Sequence, residues 1–359
     1  MNRFTEIIKK GALILISAVL MLTCVMPLDA AGFITDRSKG STTYTQGTDW
    51  EKYGNYYFYN QMSPKERDFY DALNDRCLSF MLGDEDATEH VYKNTTYYLM
   101  GYVSSESLTI PQMVQVAKIF KYNNPQYYFL STMIFPKTAD NAISFTVYPR
   151  FSSGTSRETA NGRISHDVRS AISNTSLAHT DAERVRAFHD YIIDMVDYES
   201  SIPAEDVTFT QSVYSVFGHE DKKTVCAGYS GAFMMLCNAV GIDCICVTSA
   251  LHQWNKVRID DTWYNIDLTA DDLGLDDDGN STRQYLYFCR SNNMISVIDD
   301  TDYHTIEEFW TDFILPECYT DSESDSQTCN LPFEPTATVV APGYSAQAVE
   351  NADDQLLVS

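Results

Sequence analysis

The segment that most restricts the fold of this chain is residues 224–241, with the sequence TVCAGYSGAFMMLCNAVG. After Cys226 the segment is apolar enough to form a helix packed in a protein core, and Gly241 is placed to end that helix. Several small residues, Gly228 among them, directly follow the cysteine and allow neighbouring backbone to approach closely. The sequence therefore predicts a core helix that begins at Cys226.

A second restriction comes from residues 251–269, LHQWNKVRIDDTWYNIDLT, which predict a β-hairpin that turns at Asp260 and Asp261. With Ile259 opposite Thr262, alternate side chains fall on two different faces. One face holds Val257, Ile259, Tyr264, Ile266 and Leu268 and is mainly apolar, although Gln253 and Asn255 fall on it as well. The other face holds His252, Trp254, Trp263 and Asp267. His252 and Asp267 are then diagonal neighbours, about 7–8 Å apart at the backbone, a gap that side chains can bridge.

These two segments together supply the groups of a cysteine-based catalytic triad. Unpaired N–H groups and the dipole at a helix start favour a thiolate at Cys226. His252 and Asp267 have the arrangement of a general base and the residue that orients it. Taken singly, Cys226 also fits a buried core cysteine, and the other two fit a surface hydrogen bond.

Short motifs around these residues resemble those of the transglutaminase-like superfamily, in which a Cys-His-Asp triad occupies a papain-like fold. The three central motifs are VCAGYSGAF, HQWNKV and TWYNIDLT. RAFHDYIIDMVDY and QSVYSVF upstream, with YLYFCRSNNM and LPEC downstream, resemble the versions found in exported proteins of Gram-positive bacteria. The resemblance covers about residues 180–320 and implies that Cys226 is the nucleophile, His252 the general base and acid, and Asp267 the orienting residue.

The same resemblance implies roles for residues around the triad. Trp254, Asn255 and Tyr229 match recurrent positions and are expected to be structural or supporting, as is Gly228 in the motif of the nucleophile. The backbone N–H of the nucleophile is expected to stabilise an oxyanion, and Tyr214 is a candidate side-chain donor. The tryptophan that serves this purpose in transglutaminases has no assured counterpart here.

Chain length and local patterns predict an α+β fold with two units. The chain has 359 residues, of which 44% are hydrophobic, enough for a sizeable core. Helix-start signatures lie at Ser63–Glu66 and Thr180–Glu183. We expect a papain-like, transglutaminase-like catalytic domain with the nucleophile helix on an antiparallel sheet, preceded by a smaller α+β unit. The predicted segments are a linker at 31–55, an N-terminal unit at 56–150, a catalytic domain at 160–320 and a disordered tail at 333–359.

The first thirty residues predict export of the chain. Arg3, Lys9 and Lys10 precede an apolar run, and a plausible cleavage site follows Ala30. An uncleaved membrane anchor is the alternative, but the run is short for a spanning helix and contains Pro27. We therefore expect a secreted or cell-surface protein, with no membrane attachment after cleavage of residues 1–30.

The charge of the chain limits its partners. A formal net charge of -25 argues against nucleic acid, an anionic membrane or an anionic wall polymer as primary ligand. With a triad of this kind, the expected partner is a peptide or protein substrate. Charge and composition leave the oligomeric state open.

Cysteine and acidic clusters offer two further possibilities. Cys318 and Cys329 flank a polar loop and are the best candidates for a disulfide, with free thiols as the alternative. No metal site is expected at the triad. A calcium ion could gather the carboxylates of the segment DDLGLDDDGN, although a solvated acidic loop is the preferred interpretation. Those carboxylates belong to Asp271, Asp272, Asp276, Asp277 and Asp278.

The expected chemistry is attack of the Cys226 thiolate on an amide carbonyl to form a thioester acyl-enzyme. Water as acceptor gives a peptidase or amidase, and an amine as acceptor gives cross-linking. Hydrolysis is slightly favoured. The alternatives are a transglutaminase that cross-links extracellular proteins and a non-catalytic cell-surface binding module that retains the fold.

Overall fold

The computed structural model describes residues 50–199, 209–298 and 302–321, all within one compact unit that begins at Asp49. The predicted signal at 1–30, the linker up to residue 49 and the tail at 333–359 lie outside the described residues. No helix among the described residues is both long enough and apolar enough to cross a membrane.

Two helices begin the fold, and both start where the sequence predicts. Helix α1 spans Pro64–Leu82 and helix α2 spans Ile110–Asn123. Ser63 and Glu66 form a capping box before α1, and Thr109 and Gln112 form one before α2. Each box satisfies backbone N–H groups that a helix start leaves without intrahelical acceptors.

An antiparallel five-stranded sheet packs with these helices. Its central strand is β5, which pairs with β2, β3 and β4, while β1 pairs with β2 at the edge. The β4–β5 hairpin turns at the predicted KTAD segment. The strands are β1 Thr88–Tyr92, β2 Thr95–Leu99, β3 Val103–Ser104, β4 Leu130–Lys137 and β5 Ala142–Val147.

A third helix, α3 (Gly154–Asn174), begins between the predicted N-terminal unit at 56–150 and the predicted catalytic domain at 160–320, in the polar segment SSGTSRETANG. The side chain of Ser153 accepts a hydrogen bond from Ser156 N and so caps the helix. The fully buried Arg157 donates to the carbonyls of Phe80 at 2.7 Å and Phe151 at 2.9 Å. The polar composition of this segment does not predict a helix, because it gives no sign that Arg157 is buried and bound to backbone carbonyls.

The nucleophile helix follows helix α4 (Asp181–Met195) and the short parallel strands β6 (Asp197–Tyr198) and β7 (Lys223–Thr224). Helix α5 spans Cys226–Ala239 and is buried from Gly228 to its end, as predicted. A Cβ atom at Gly228 would lie 1.8 Å from Thr224 Oγ1, so only glycine allows the preceding strand to pack here. Close packing at this point sets the position of the helix start.

Strands β8 (Cys244–Thr248), β9 (Gln253–Ile259) and β10 (Thr262–Ile266) form an antiparallel sheet in the order β10-β9-β8, against which α5 packs. Ile259 pairs with Thr262, and the turn residues Asp260 and Asp261 have φ of 46° and 64°. The predicted hairpin register is confirmed. The remaining elements are α6 Leu268–Asp271, β11 Asp272–Leu275, β12 Ser281–Arg283 and α7 Asn292–Ile298, before short 3-10 turns in residues 302–312.

Candidate active site

Three different elements bring the predicted triad together. Cys226 is the first residue of α5 and is partly exposed. His252 directly precedes β9, and Asp267 follows β10 as the N-cap residue of α6. Cys226 and His252 both line a cavity of about 390 Å³, which we call the Cys226 cavity, whereas Asp267 lies behind the histidine and is 1% exposed.

The carboxylate of Asp267 accepts four hydrogen bonds. Its Oδ1 accepts from the backbone N–H of Thr269 at 3.0 Å and of Ala270 at 3.3 Å. Its Oδ2 accepts from Nε2 of His252 at 2.7 Å and from Nε2 of His304 at 2.9 Å. Burial raises the pKa of this carboxyl, but the charge of His252 and these donors outweigh burial and hold the pKa well below its usual range. Asp267 therefore stays ionised in the interior.

The other ring nitrogen of His252, Nδ1, is buried and has no hydrogen-bond partner among the described residues. Burial lowers the pKa of His252, but Asp267 and then Cys226 raise it further, to about 10. His252 is therefore an imidazolium at neutral pH. A nitrogen held by Asp267 on one side and available on the other is what a general acid and base needs.

Tyr303 and His304, which have no predicted role, also contact His252. The ring of Tyr303 stacks on His252 with centroids 3.9 Å apart, and Trp254 lies parallel to the histidine at 6.0 Å. His304 meets the ring of Trp254 edge-on at 4.9 Å. The segment DYH at 302–304 has no periodic pattern or motif that could have signalled this role in the sequence.

The predicted supporting residues connect the elements that carry the triad. Asn255 Nδ2 donates to the carbonyls of Ser230 in α5 at 3.0 Å and of Ile245 in β8 at 3.3 Å. The hydroxyl of Tyr229 donates to Asp272, which ties α5 to β11. These contacts, with the close approach at Gly228 described above, hold the helix start against the sheet.

The oxyanion candidate Tyr214 lies away from the Cys226 cavity. Its ring is buried among Phe151, at 5.0 Å, and Phe209, at 5.6 Å, and it does not line the Cys226 cavity. Its spacing in the sequence could not reveal that the ring turns into the core. Tyr122 and Gln211 line the cavity instead, and burial, reinforced by the charges of Glu307 and Cys226, raises the pKa of Tyr122, so its hydroxyl stays protonated. At the first residue of a helix, the N–H of the nucleophile has no intrahelical acceptor and remains suited to an oxyanion.

Among the described residues, one group of side chains has the donor atoms of a metal site. One atom each from His252, Asp267 and His304 lies within 4.8 Å of the others. Nε2 of His252 and Nε2 of His304 both donate to Asp267 Oδ2, so these three side chains are already hydrogen-bonded to one another.

The predicted calcium ligands are spread over two environments. Asp271 is fully buried and accepts from Tyr287 N, while Asp272 accepts from Tyr229 and Gly274 N. The carboxylates of Asp276, Asp277 and Asp278 lie in an exposed turn. Calcium binding there stays a prediction.

Of the two cysteines in the predicted disulfide, only Cys318 lies within the described residues. Cys318 is buried, and its sulfur accepts from Lys256 Nζ at 3.5 Å. Cys329 lies outside the described residues, so the pairing of these two cysteines stays a prediction.

Comparison with known proteins identifies the central part of the chain. Residues 169–268 match the model of the transglutaminase-like superfamily, and this range includes all three triad positions. The chain therefore contains a transglutaminase-like domain, and the α+β fold class predicted from the sequence is confirmed.

Two curated relatives share part of this region. The kyphoscoliosis peptidase of Mus musculus is 29% identical over 126 residues, which cover 31% of this chain and 19% of the relative. The kyphoscoliosis peptidase of Homo sapiens is 30% identical over 108 residues, which cover 26% of this chain and 16% of the relative. The chain thus spans less than a fifth of the length of these relatives.

Two solved structures are similar to part of this chain at low sequence identity. A structure described as a TGase is 14% identical, covers 55% of this chain and 58% of its own, and has a TM-score of 0.27. A candidate cysteine protease from Cytophaga hutchinsonii is 16% identical, covers 39% of this chain and 62% of its own, and has a TM-score of 0.22.

Proposed function

We propose that this protein is an exported cysteine-nucleophile enzyme that hydrolyses amide bonds of peptides or proteins. The observation that carries the proposal is the state of His252, whose Nε2 is held by Asp267 while Nδ1 has no partner among the described residues, on the wall of the cavity that contains Cys226. A histidine with a purely structural role normally uses both ring nitrogens when it is buried.

The reaction proceeds through a thioester. The sulfur of Cys226 forms a bond to the amide carbonyl carbon, and the N–H groups at the start of α5 stabilise the oxyanion. His252 gives its Nδ1 proton to the amine as the C–N bond breaks. Water then attacks the thioester, His252 takes a proton from that water, and the C–S bond breaks to release the acid and restore the thiolate.

The positions of the tryptophans favour water over an amine as the acceptor. Transfer to an amine requires a site that excludes water, which aromatic walls commonly provide. Trp254 lies behind His252 and donates to Asn265, and Trp263 packs on Tyr57. Neither tryptophan lines the Cys226 cavity, and the aromatic residues that do line it are the hydroxyl-bearing Tyr122, Tyr127 and Tyr128. Cross-linking of proteins is the alternative outcome of the same acyl-enzyme.

The choice of acceptor is tested with a glutamine-containing peptide, an excess of a labelled primary amine and product analysis by mass spectrometry. Cleavage of the backbone or release of ammonia without amine incorporation is the expected result. Incorporation that depends on Cys226 would instead identify a transglutaminase. Secretion, proposed from residues 1–30, is tested separately by locating the mature protein and determining its first residue.

The enzymatic assignment is tested at the nucleophile. Cys226→Ala is expected to remove turnover, with a loss of about 10⁴-fold or more in kcat, while circular dichroism and the thermal midpoint stay close to those of the native protein. Native Cys226 is expected to react stoichiometrically with iodoacetamide near neutral pH. A Cys226 that resists the reagent, in a folded protein, would identify the non-catalytic binding module.

A further inference from the structure

One wall of the Cys226 cavity comes from a part of the chain outside the transglutaminase-like match. Residues between Lys121 and Thr132, at the end of α2 and after it, line the cavity together with the start of α5. The family match begins only at residue 169. The triad therefore shares its cavity with a wall that lies outside the family match, and that wall is where substrate selection is to be sought.

Apart from His252, Lys121 is the one basic side chain among the described residues that line the cavity. The remaining described residues of the lining are apolar, amide, hydroxyl or thiol side chains, without an aspartate, glutamate or arginine. A volume of about 390 Å³ lies within the range of pockets that enclose a ligand. Lys121 thus places a positive charge on one wall of the cavity, in a protein whose net charge is -25. The carboxylate of Glu307 also approaches the lining, where it accepts a hydrogen bond from Thr248 Oγ1.

The ammonium group of Lys121 lacks an anionic partner within the described residues. Its recorded contact is with the ring of Tyr122, whose centroid lies 6.0 Å from Nζ. Two other partly or fully buried lysines are hydrogen-bonded: Lys222 Nζ donates to Asp167 at 2.9 Å, and Lys256 Nζ donates to Asn292 at 2.8 Å. Lys121 is partly buried, and desolvation lowers its pKa to about 8, so the group is still mostly protonated at neutral pH.

A partly desolvated cation without a partner gains more from an incoming anion than a fully hydrated one, because water already lost need not be removed again. We propose that Lys121 binds a carboxylate of the substrate, so that the enzyme prefers peptides with an acidic group close to the amide that Cys226 attacks. The carboxylate is that of an aspartate or glutamate side chain or of a peptide C-terminus. This inference rests on the proposed function and names its substrate class.

The first test needs no known substrate. Rates of alkylation of Cys226 are measured with iodoacetate, which is anionic, and with iodoacetamide, which is neutral, in the native protein and in Lys121→Met. The substitution is expected to lower the iodoacetate rate relative to the iodoacetamide rate by about 10-fold, since a hydrogen bond between charged groups is lost. Lys118→Met is the matched control, because Lys118 lies one turn earlier in α2, over the ring of Phe309 and outside the cavity lining.

The second test uses pairs of peptides that differ only in charge, with Glu against Gln and a free C-terminus against its amide. The native enzyme is expected to show a higher kcat/KM for the acidic member, Lys121→Met to lose that preference, and Lys121→Glu to reverse it. The pair that responds identifies which carboxylate is bound. Equal rates for both members in the native enzyme, or an equal effect of Lys118→Met, would overturn the inference while leaving the proposed function intact. A Cys226 that reacts with neither reagent would contradict both.

Discussion

The two aspartates at the ends of the short helix α6 each bind a buried histidine. The two histidine–aspartate pairs differ in hydrogen bonding, in pKa and in access to the Cys226 cavity. Asp267 caps α6 and binds His252, while Asp271 ends α6 and binds Nε2 of His189 at 3.3 Å. Asp267 has four donors, whereas Asp271 has His189 and the backbone N–H of Tyr287. Burial accordingly raises the pKa of Asp271 to about 6, while the pKa of Asp267 is lowered.

The two histidines also face different surroundings. His189 Nδ1 binds Asp190 at 2.9 Å, so both of its ring nitrogens are engaged, and the ring lies between Tyr285 and Phe288. His252 leaves Nδ1 without a described partner and lines the Cys226 cavity. A histidine–aspartate pair is therefore not sufficient to define an active site. The difference lies in the nitrogen that remains available beside a nucleophile.

The largest expected effect separates the two carboxylates. Asp267→Asn keeps the shape of the side chain but removes the charge and disturbs the tautomer of His252, so kcat is expected to fall by about 10³- to 10⁴-fold. Steady-state kinetics against any amide substrate, together with circular dichroism, measures this loss in a folded protein.

Asp271→Asn is the matched control for that change, because it alters an equally buried carboxyl in the same helix. It is expected to leave kcat near the native value. Equal losses in the two variants would show that α6 as a whole, and not the carboxylate of Asp267, supports turnover.

A smaller effect is expected at His304, which shares Oδ2 of Asp267 with His252. His304→Phe removes one donor, so Asp267 becomes less firmly held and kcat is expected to fall by about 10-fold, less than the ~100-fold that a 1 Å displacement can cost. A less solvated carboxylate also holds the His252 proton more strongly, which moves the alkaline limb of the pH–rate profile to higher pH.

His304→Gln tests whether donation to Asp267 is the reason. Glutamine retains an N–H donor, so this variant is expected to recover most of the rate and the native pH profile. A loss in His304→Phe with both limbs of the profile unmoved would indicate that His304 only packs against Trp254.

The smallest expected effect concerns stability between pH 4 and pH 6. The pKa of Asp271 rises from 3.8 to about 6 on folding, so its contribution to stability is fully present below 3.8 and is lost as the pH rises through about 6. In Asp271→Asn the free energy of unfolding should therefore fall less steeply over this range, as measured by urea denaturation at several pH values. A slope identical to that of the native protein would contradict the raised pKa.

Asp267 is expected to act with the opposite sign. Its pKa is lowered on folding, so its contribution is present above 3.8 and is lost as the solution becomes more acidic. His252, whose pKa is raised to about 10, contributes fully below its ordinary value of 6.5 and loses that contribution as the pH rises through 10. Asp267 and His252 together are thus expected to contribute most to the stability of the fold between pH 3.8 and pH 6.5.

The sequence by itself determined the local elements that carry the triad. Capping residues such as Ser63 and Thr180 predicted helix starts, and the two-residue turn at Asp260 and Asp261 predicted the register that places His252 near Asp267. Such signals are readable because helix caps and hairpin turns depend on residues close together in the chain. The helix that begins at Cys226 is predicted by its apolar run and by Gly241 after its end, which are also local signals.

Only the tertiary structure decided what surrounds the triad. His304 reaches Asp267 from 37 residues away in the chain, and Lys121 reaches the cavity from a helix more than 100 residues before Cys226. Tyr214 is close to Cys226 in the chain, yet its ring packs in the core against Phe151. The polar segment around Arg157 forms a helix in which the arginine is buried. Contacts of this kind depend on which faces of distant elements meet, and a face can bury a polar group only where the partner element supplies its acceptor.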